Sequence, residues 1–184
     1  MNRVFRLTLI VFSLLLAGAA PAWAAGGGWQ YPAIEGYGGV KPLPDAVNQP
    51  SKDAQHKAVF DVTKAAKSPD QPNPGLEHVA RAVNVFASAG VPTDKLNFVA
   101  VVHGPATPSI LSDAQYQKQF GQANPNTALI AALRKAGVTV HVCGQALAEH
   151  EFDQSWVDDD VDVALSALSD LVIYGEQGYA LVPQ

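Results

Sequence analysis

A second cysteine is missing from this chain of 184 residues, so Cys143 has no partner for an internal disulfide. Stability must then come from packing alone. Basic residues are also short: 12 Lys and Arg face 17 Asp and Glu, a net charge of −5. That sign is wrong for neutralising phosphates, and nucleic acid is not expected as a partner. There is no Gly-rich phosphate loop of the dinucleotide or P-loop form, and no Gly-x-Ser-x-Gly elbow of the hydrolases. Cys143, His103, His141 and His150 lack the compact spacing of a zinc site. The acidic run Asp158-Asp159-Asp160, with Asp153 and Asp162, lacks the loop glycine and bidentate Glu of a calcium loop and reads as a solvated segment. Neither a metal nor another cofactor is expected. Beyond the first twenty or so residues no apolar run reaches the length of a bilayer span.

What is present begins with an export pattern. Arg3 and Arg6 form a basic start, Leu7 to Ala20 an apolar stretch broken by Ser13 and Gly18, and Ala22-Trp23-Ala24 a small-x-small cleavage site. Residues 1–24 are therefore expected to be a cleaved signal peptide that delivers the protein to the periplasm. No cysteine follows for a lipid anchor, and an uncleaved N-terminal anchor is the alternative. Cleavage removes two arginines and leaves 10 basic against 17 acidic residues. The remaining chain, about 160 residues, suffices for one domain with a real core.

Residues 25–54 are rich in Gly and Pro and poor in periodic pattern, as in an extended arm or linker rather than a folded layer. Trp29, Tyr31 and Tyr37 can dock on an apolar surface, including one across a subunit interface. Residues 55–184 alternate strand and helix patterns. Strands are expected at Lys57–Thr63, Leu96–Val102, Val138–Val142, Val161–Ala164 and Gly178–Val182. Leu96–Val102 is nearly all apolar, as a central strand covered on both faces should be. Helices are expected at Leu76–Ala89, Ser112–Phe120, Asn126–Ala136 (capped by Asn126), for about two turns after Cys143, and at Ser166–Tyr174 with Leu168, Leu171 and Val172 inward. Such alternation implies an α/β fold with five strands in a mainly parallel sheet.

Cys143 stands where the strand Val138–Val142 stops and a helical pattern begins. Ligands and reactive groups collect at strand ends in open α/β sheets. Unpaired N–H groups at a helix start favour thiolate over thiol. Cys143 is thus the candidate reactive residue; the alternative is a small buried hydrophobe. His141 shares its strand face, as a hydrogen-bonded strand histidine or a base. His103 ends a different strand at the same sheet edge and is the better candidate to support the thiolate or contact substrate.

Several segments together resemble the DsrE/DsrF-like family of sulfur-relay proteins: Val101-Val-His-Gly-Pro-Ala106, Asn124-Pro, Leu133-x-x-Ala-Gly-Val-x-Val-x-Val-Cys-Gly-Gln-Ala-Leu147, and the ending Val161-x-Val, Ser166-Ala and Gly178-Tyr-Ala-Leu-Val. The likeness covers roughly residues 55–183 in order. It implies a three-layer α/β/α fold with flavodoxin-like layering and a homo-oligomer, trimeric or hexameric. It also implies a cysteine that accepts sulfane sulfur as a persulfide from a small sulfur donor and passes it to a partner-protein thiol. Cys143 occupies that position. Gly144 and Gln145 match the turn after it, and His103 and Gly104 match the His-Gly loop, as substrate-contacting candidates. The export signal and the arm depart from the cytoplasmic relays. A non-catalytic oligomeric binding module, or a thiol-redox or metal-handling envelope protein, with Cys143 structural, remains the alternative.

Overall fold

Apolar runs of β-branched residues form the centre of the computed structural model, which describes residues 28–184; the expected signal peptide lies outside them. The strands are β1 (His56–Val62), β2 (Leu96–Val102), β3 (Thr139–Cys143), β4 (Asp162–Ala164) and β5 (Ala180–Pro183). They form one five-stranded sheet in the order β4-β3-β2-β1-β5. Every ladder is parallel, so the sheet is wholly rather than mainly so. Parallel strands need crossovers, supplied by α1 (Pro74–Ser88), α2 (Asp113–Phe120), α3 (Thr127–Lys135), α4 (Gly144–Glu149) and α5 (Ala167–Glu176).

Alternation along the strands sorts their side chains into two cores. Phe60, Val62, Phe98, Ala100, Val102, Val140 and Val142 meet Leu76, Val79 and Val83 of α1 and Leu129, Ile130 and Leu133 of α3 in the larger one. Val59, Val99, Val101 and Cys143 turn to the opposite face, under Ala167, Leu171 and Tyr174 of α5. Helices thus flank both faces of the sheet, giving three layers. Among the described residues no helix is long and apolar enough to cross a membrane.

Two sequence expectations are corrected. Asn126 does not cap α3 with its side chain. Its Oδ1 accepts the Asn73 amide at 2.6 Å and its Nδ2 donates to Asn124 Oδ1 at 2.8 Å. Asn73 itself caps α1, accepting from Gly75 and Leu76. In α5, Leu168 and Val172 point outward, 79% and 60% exposed. The helix is phased by Ala167, Asp170, Leu171 and Tyr174, a stripe at i, i+3, i+4 and i+7 that apolarity alone does not reveal.

The Gly/Pro-rich segment is not detached from the domain. Gln30 and Val40 form an antiparallel bridge, and Ile34 and Val40 are buried. Asn84 of α1, fully buried, holds this turn: its Oδ1 accepts from the amides of Ala33 and Ile34, each at 2.9 Å. Its Nδ2 donates to the carbonyls of Ile34, Tyr37 and Gly38.

Candidate functional site

Strands β3 and β4 end side by side but send the chain to different places. Beyond β3 the chain enters α4, whose Leu147 packs into the larger core; beyond β4 it enters α5 on the opposite face. Where neighbouring strands diverge in this way an open α/β sheet forms a crevice at its carboxyl edge. Cys143 stands there, as the last residue of β3 and the cap of α4.

Two helix starts converge on its sulfur. Sγ accepts the Ala146 N–H at 3.4 Å, and the Ser166 hydroxyl, capping α5, lies 3.9 Å away. Ser166 Oγ also accepts the Leu168 N–H at 3.2 Å, leaving its own proton free to turn toward sulfur. An anion on sulfur therefore faces a backbone donor, a hydroxyl donor and the positive ends of two helices. The convergence depends on Gly144. A Cβ there would lie 2.9 Å from the Ala164 carbonyl oxygen, backbone that cannot swing aside. Gln145 ties the same edge, its Nε2 donating to the Leu165 carbonyl at 3.3 Å. The residue carrying the thiol is 5% exposed and packed among Val59, Val99, Val101, Ala146 and Ala167.

The other sequence-derived candidates lie one strand over. Val101 and His141 are register partners, as are Val102 and Val142; one residue on, His103 follows β2 at the level where Cys143 ends β3. The His103 amide donates to Val62 O at 3.0 Å, continuing the ladder. Its imidazole turns toward β1, where Nε2–H donates to Asp61 Oδ1 at 2.6 Å, and makes no hydrogen bond to Cys143. Gly104, at φ +53°, opens the loop beyond, and its carbonyl accepts from His150 Nε2 at 3.1 Å. The structure therefore groups Cys143, Gly144 and Gln145 around the β3–β4 exit and sets His103 and Gly104 beside them.

His141 is a satisfied strand histidine. Its Nδ1–H donates to Asp170 Oδ2 at 2.7 Å, one helical turn beyond Ser166, so thiol–hydroxyl and imidazole–carboxylate contacts join β3 to α5 as successive rungs. Tyr174 continues the row beside the His141 ring. Burial raises its phenol above the ordinary value, with Asp170, Tyr179 and Asp162 adding to the effect.

Sequence reasoning misses Asp61 and Asp170 and takes Ser166 only as a helix start. A carboxylate between Phe60 and Val62, interrupting the apolar run of β1 that begins at Ala58, is the one available signal. Among the described residues no three His, Cys, Asp and Glu side chains gather as metal ligands would. A cavity of about 180 Å³ at the same edge, lined by Pro69, Pro105, Tyr116, Phe120 and Asn126, does not include the thiol.

The model of the DsrE/DsrF-like family matches residues 45–183. No curated protein matches in a direct comparison. Among solved structures, the chain is similar to the protein of unknown function MTH1491 from Methanobacterium thermoautotrophicum: TM-score 0.54 and 16% identity, covering 70% of this chain and 99% of that one. It is also similar to the ychN protein from E. coli, with TM-score 0.52, 13% identity and the same two coverages, 70% and 99%. At such identities the likeness is one of fold.

Proposed function

The chain belongs to the DsrE/DsrF-like family, and on that footing we propose that it is a sulfur carrier, with Cys143 holding sulfane sulfur as a persulfide between a small sulfur donor and a partner-protein thiol. One observation carries the reading: Cys143 Sγ lies between the starts of α4 and α5, hydrogen-bonded by Ala146 N–H and faced by the Ser166 hydroxyl. Those groups favour both the attacking thiolate and the persulfide anion that replaces it. Uptake and release are thiol-exchange steps with no net oxidation of the protein. The test is mass spectrometry of the folded protein after polysulfide treatment. One added sulfur on the wild type, absent from Cys143→Ser, is expected; no gain, or a gain surviving the substitution, overturns the assignment.

The proposal places the protein in the periplasm, released from residues 1–24; a mature mass beginning at Ala25 checks this. It also includes a homo-oligomer, trimeric or hexameric, assembled through the outer side of α5. Leu168, Val172 and Ile173 of α5 are exposed, as are Leu165 just before it and Leu181 of β5, and exposed apolar side chains of this kind support a protein contact.

A specific observation favours a second reading. Cys143 is buried in the smaller core, as a structural cysteine in a non-catalytic binding module would be. Iodoacetamide separates the two: a carrier thiol is alkylated in the folded state, whereas a structural one reacts only on unfolding.

A further inference from the structure

From the pairing at the sheet's carboxyl edge we infer that His103 is the acid that protonates the departing sulfur of the donor, that Asp61 positions it, and that the donors are accordingly organic persulfides and polysulfides with alkyl thiolate leaving groups. The inference rests on the assignment of Cys143 as the sulfur acceptor and deepens it.

Thiol exchange sets the geometry. Attacking, central and leaving sulfurs stand nearly in line, so the leaving atom lies about two S–S bond lengths, roughly 4 Å, from Cys143 Sγ. Neighbouring strands are about 4.8 Å apart. A donor laid along the sheet edge from β3 toward β2 therefore brings its leaving sulfur to the end of β2, where His103 follows at the level of Cys143 and alternation from Val101 puts it on the face that Val101 and Cys143 share. Asp61 takes the Nε2–H at 2.6 Å, which fixes the ring and leaves Nδ1, without a hydrogen-bond partner among the described residues, to carry the transferable proton. The Asp61 side chain keeps a quarter of its surface exposed, and this hydrogen bond offsets part of the solvation it loses beside Phe60 and Val62.

In the step itself, with His103 as the imidazolium held by Asp61, the Cys143 thiolate forms a bond to the outer, sulfane sulfur of R–S–SH, and the S–S bond of the donor breaks. The bonding pair leaves with RS, which takes the Nδ1 proton of His103 and departs as RSH. Sulfur changes hands with no external oxidant or reductant. Protonation matters most when RS⁻ is basic, as alkyl thiolates are, and little when the leaving group is already a stable anion. Neither Asp61 nor Asp170 is paired with Lys or Arg among the described residues. Neither pair therefore brings a cation to hold the charge of an oxyanion such as thiosulfate, which disfavours that donor class further.

Disulfides of differing leaving groups test this independently of sulfur retention. Cys143 in the folded protein is reacted with bis(2-hydroxyethyl) disulfide, whose leaving thiolate is basic, and with 4,4′-dithiodipyridine, whose leaving group needs no proton. Asp61→Asn and His103→Gln are each expected to slow the first reaction at least tenfold and the second by less than twofold. Equal slowing of both reactions, or no slowing of the first, overturns the role of the pair. The readout does not involve persulfide, so it can succeed where the polysulfide experiment fails, and the reverse.

Discussion

Two substitutions at Ser166 separate its service to the helix from its service to the sulfur. The hydroxyl oxygen caps α5 through Leu168 N–H at 3.2 Å and stands 3.9 Å from Cys143 Sγ. Ser166→Ala removes both contacts. Loss of the cap costs about 1 kcal/mol, a fall in Tm of about 2–4 °C for a chain of this size. Loss of one neutral hydrogen bond to the sulfur, about 0.5–1.5 kcal/mol, slows alkylation roughly two- to tenfold. Ser166→Asp retains the cap, because Asp caps a helix as well as Ser does, but sets a carboxylate where the hydroxyl stood. Two unit charges about 4 Å apart repel by about 1 kcal/mol in water and about 4 kcal/mol at an effective dielectric of about 20. Cys143 is 5% exposed, which puts the pair between those limits. About 1.4 kcal/mol already means a tenfold loss of thiolate. Iodoacetamide kinetics at neutral pH, with thermal unfolding of the same samples, should show Ser166→Asp at least tenfold slower than wild type with its Tm nearly unchanged. Ser166→Ala should show the reverse balance. Wild-type alkylation in Ser166→Asp would refute the placement of the hydroxyl beside the sulfur, and an equal loss of Tm in both variants would refute the cap.

Three other changes have defined outcomes. Asn84→Ala leaves the Ala33 and Ile34 amides without their acceptor, and a loss of about 2–4 kcal/mol is expected in urea unfolding, limited by undocking of the turn; new proteolytic cleavage between residues 28 and 54 would mark that undocking. Partial burial raises the Asp158 carboxyl from its ordinary value, with Asp160, Asp159 and Asp113 adding to the effect against the Asp160 backbone hydrogen bond. Its protonated form therefore suits the fold better, and its contribution to stability falls as pH rises through the folded value. Asp158→Asn keeps the acceptor for the Asp160 amide, so urea titrations should find it more stable than wild type at neutral pH, with the advantage gone below about pH 4. If α5 is the assembly face, Leu168→Glu with Val172→Glu should reduce the sedimentation coefficient to that of a monomer while leaving the far-UV spectrum intact.

Local pattern reveals whatever depends on neighbours in the chain. The run Leu96–Val102 announces a central strand because both its faces are covered, and the break from Val138–Val142 into helix locates Cys143 at a carboxyl edge. Contacts between distant residues are less visible. Asp61 meets His103 from 42 residues away, Cys143 meets Ser166 from 23, and Asn84 grips the turn at Ala33–Gly38 from about 50. Each depends on strand order and register, which periodicity does not encode. The phase of α5 is misread for a related reason: apolarity points to Leu168 and Val172, whereas the sheet is met by small Ala167 and by Asp170, held by a histidine on another element.

The place of β5 beside β1 has its own bearing on how the chain reaches its native state. β1 finds one neighbour in β2 but must wait for the other, Ala180–Pro183, whose first residue comes 122 positions after its register partner Ala58 (180 − 58). Because loop-closure entropy grows only slowly with length, the delay costs time more than stability. During that interval the stretch Ala58-Val59-Phe60 presents free amides and carbonyls on an apolar ribbon, a template on which a second nascent chain can pair. The final four-residue strand ends that exposure. Being short and carrying Pro183, it makes a poor template itself. A chain shortened before Ala180 would keep its helices and its thiol yet be prone to self-association through β1, which makes the last strand a guard of solubility as much as a part of the fold.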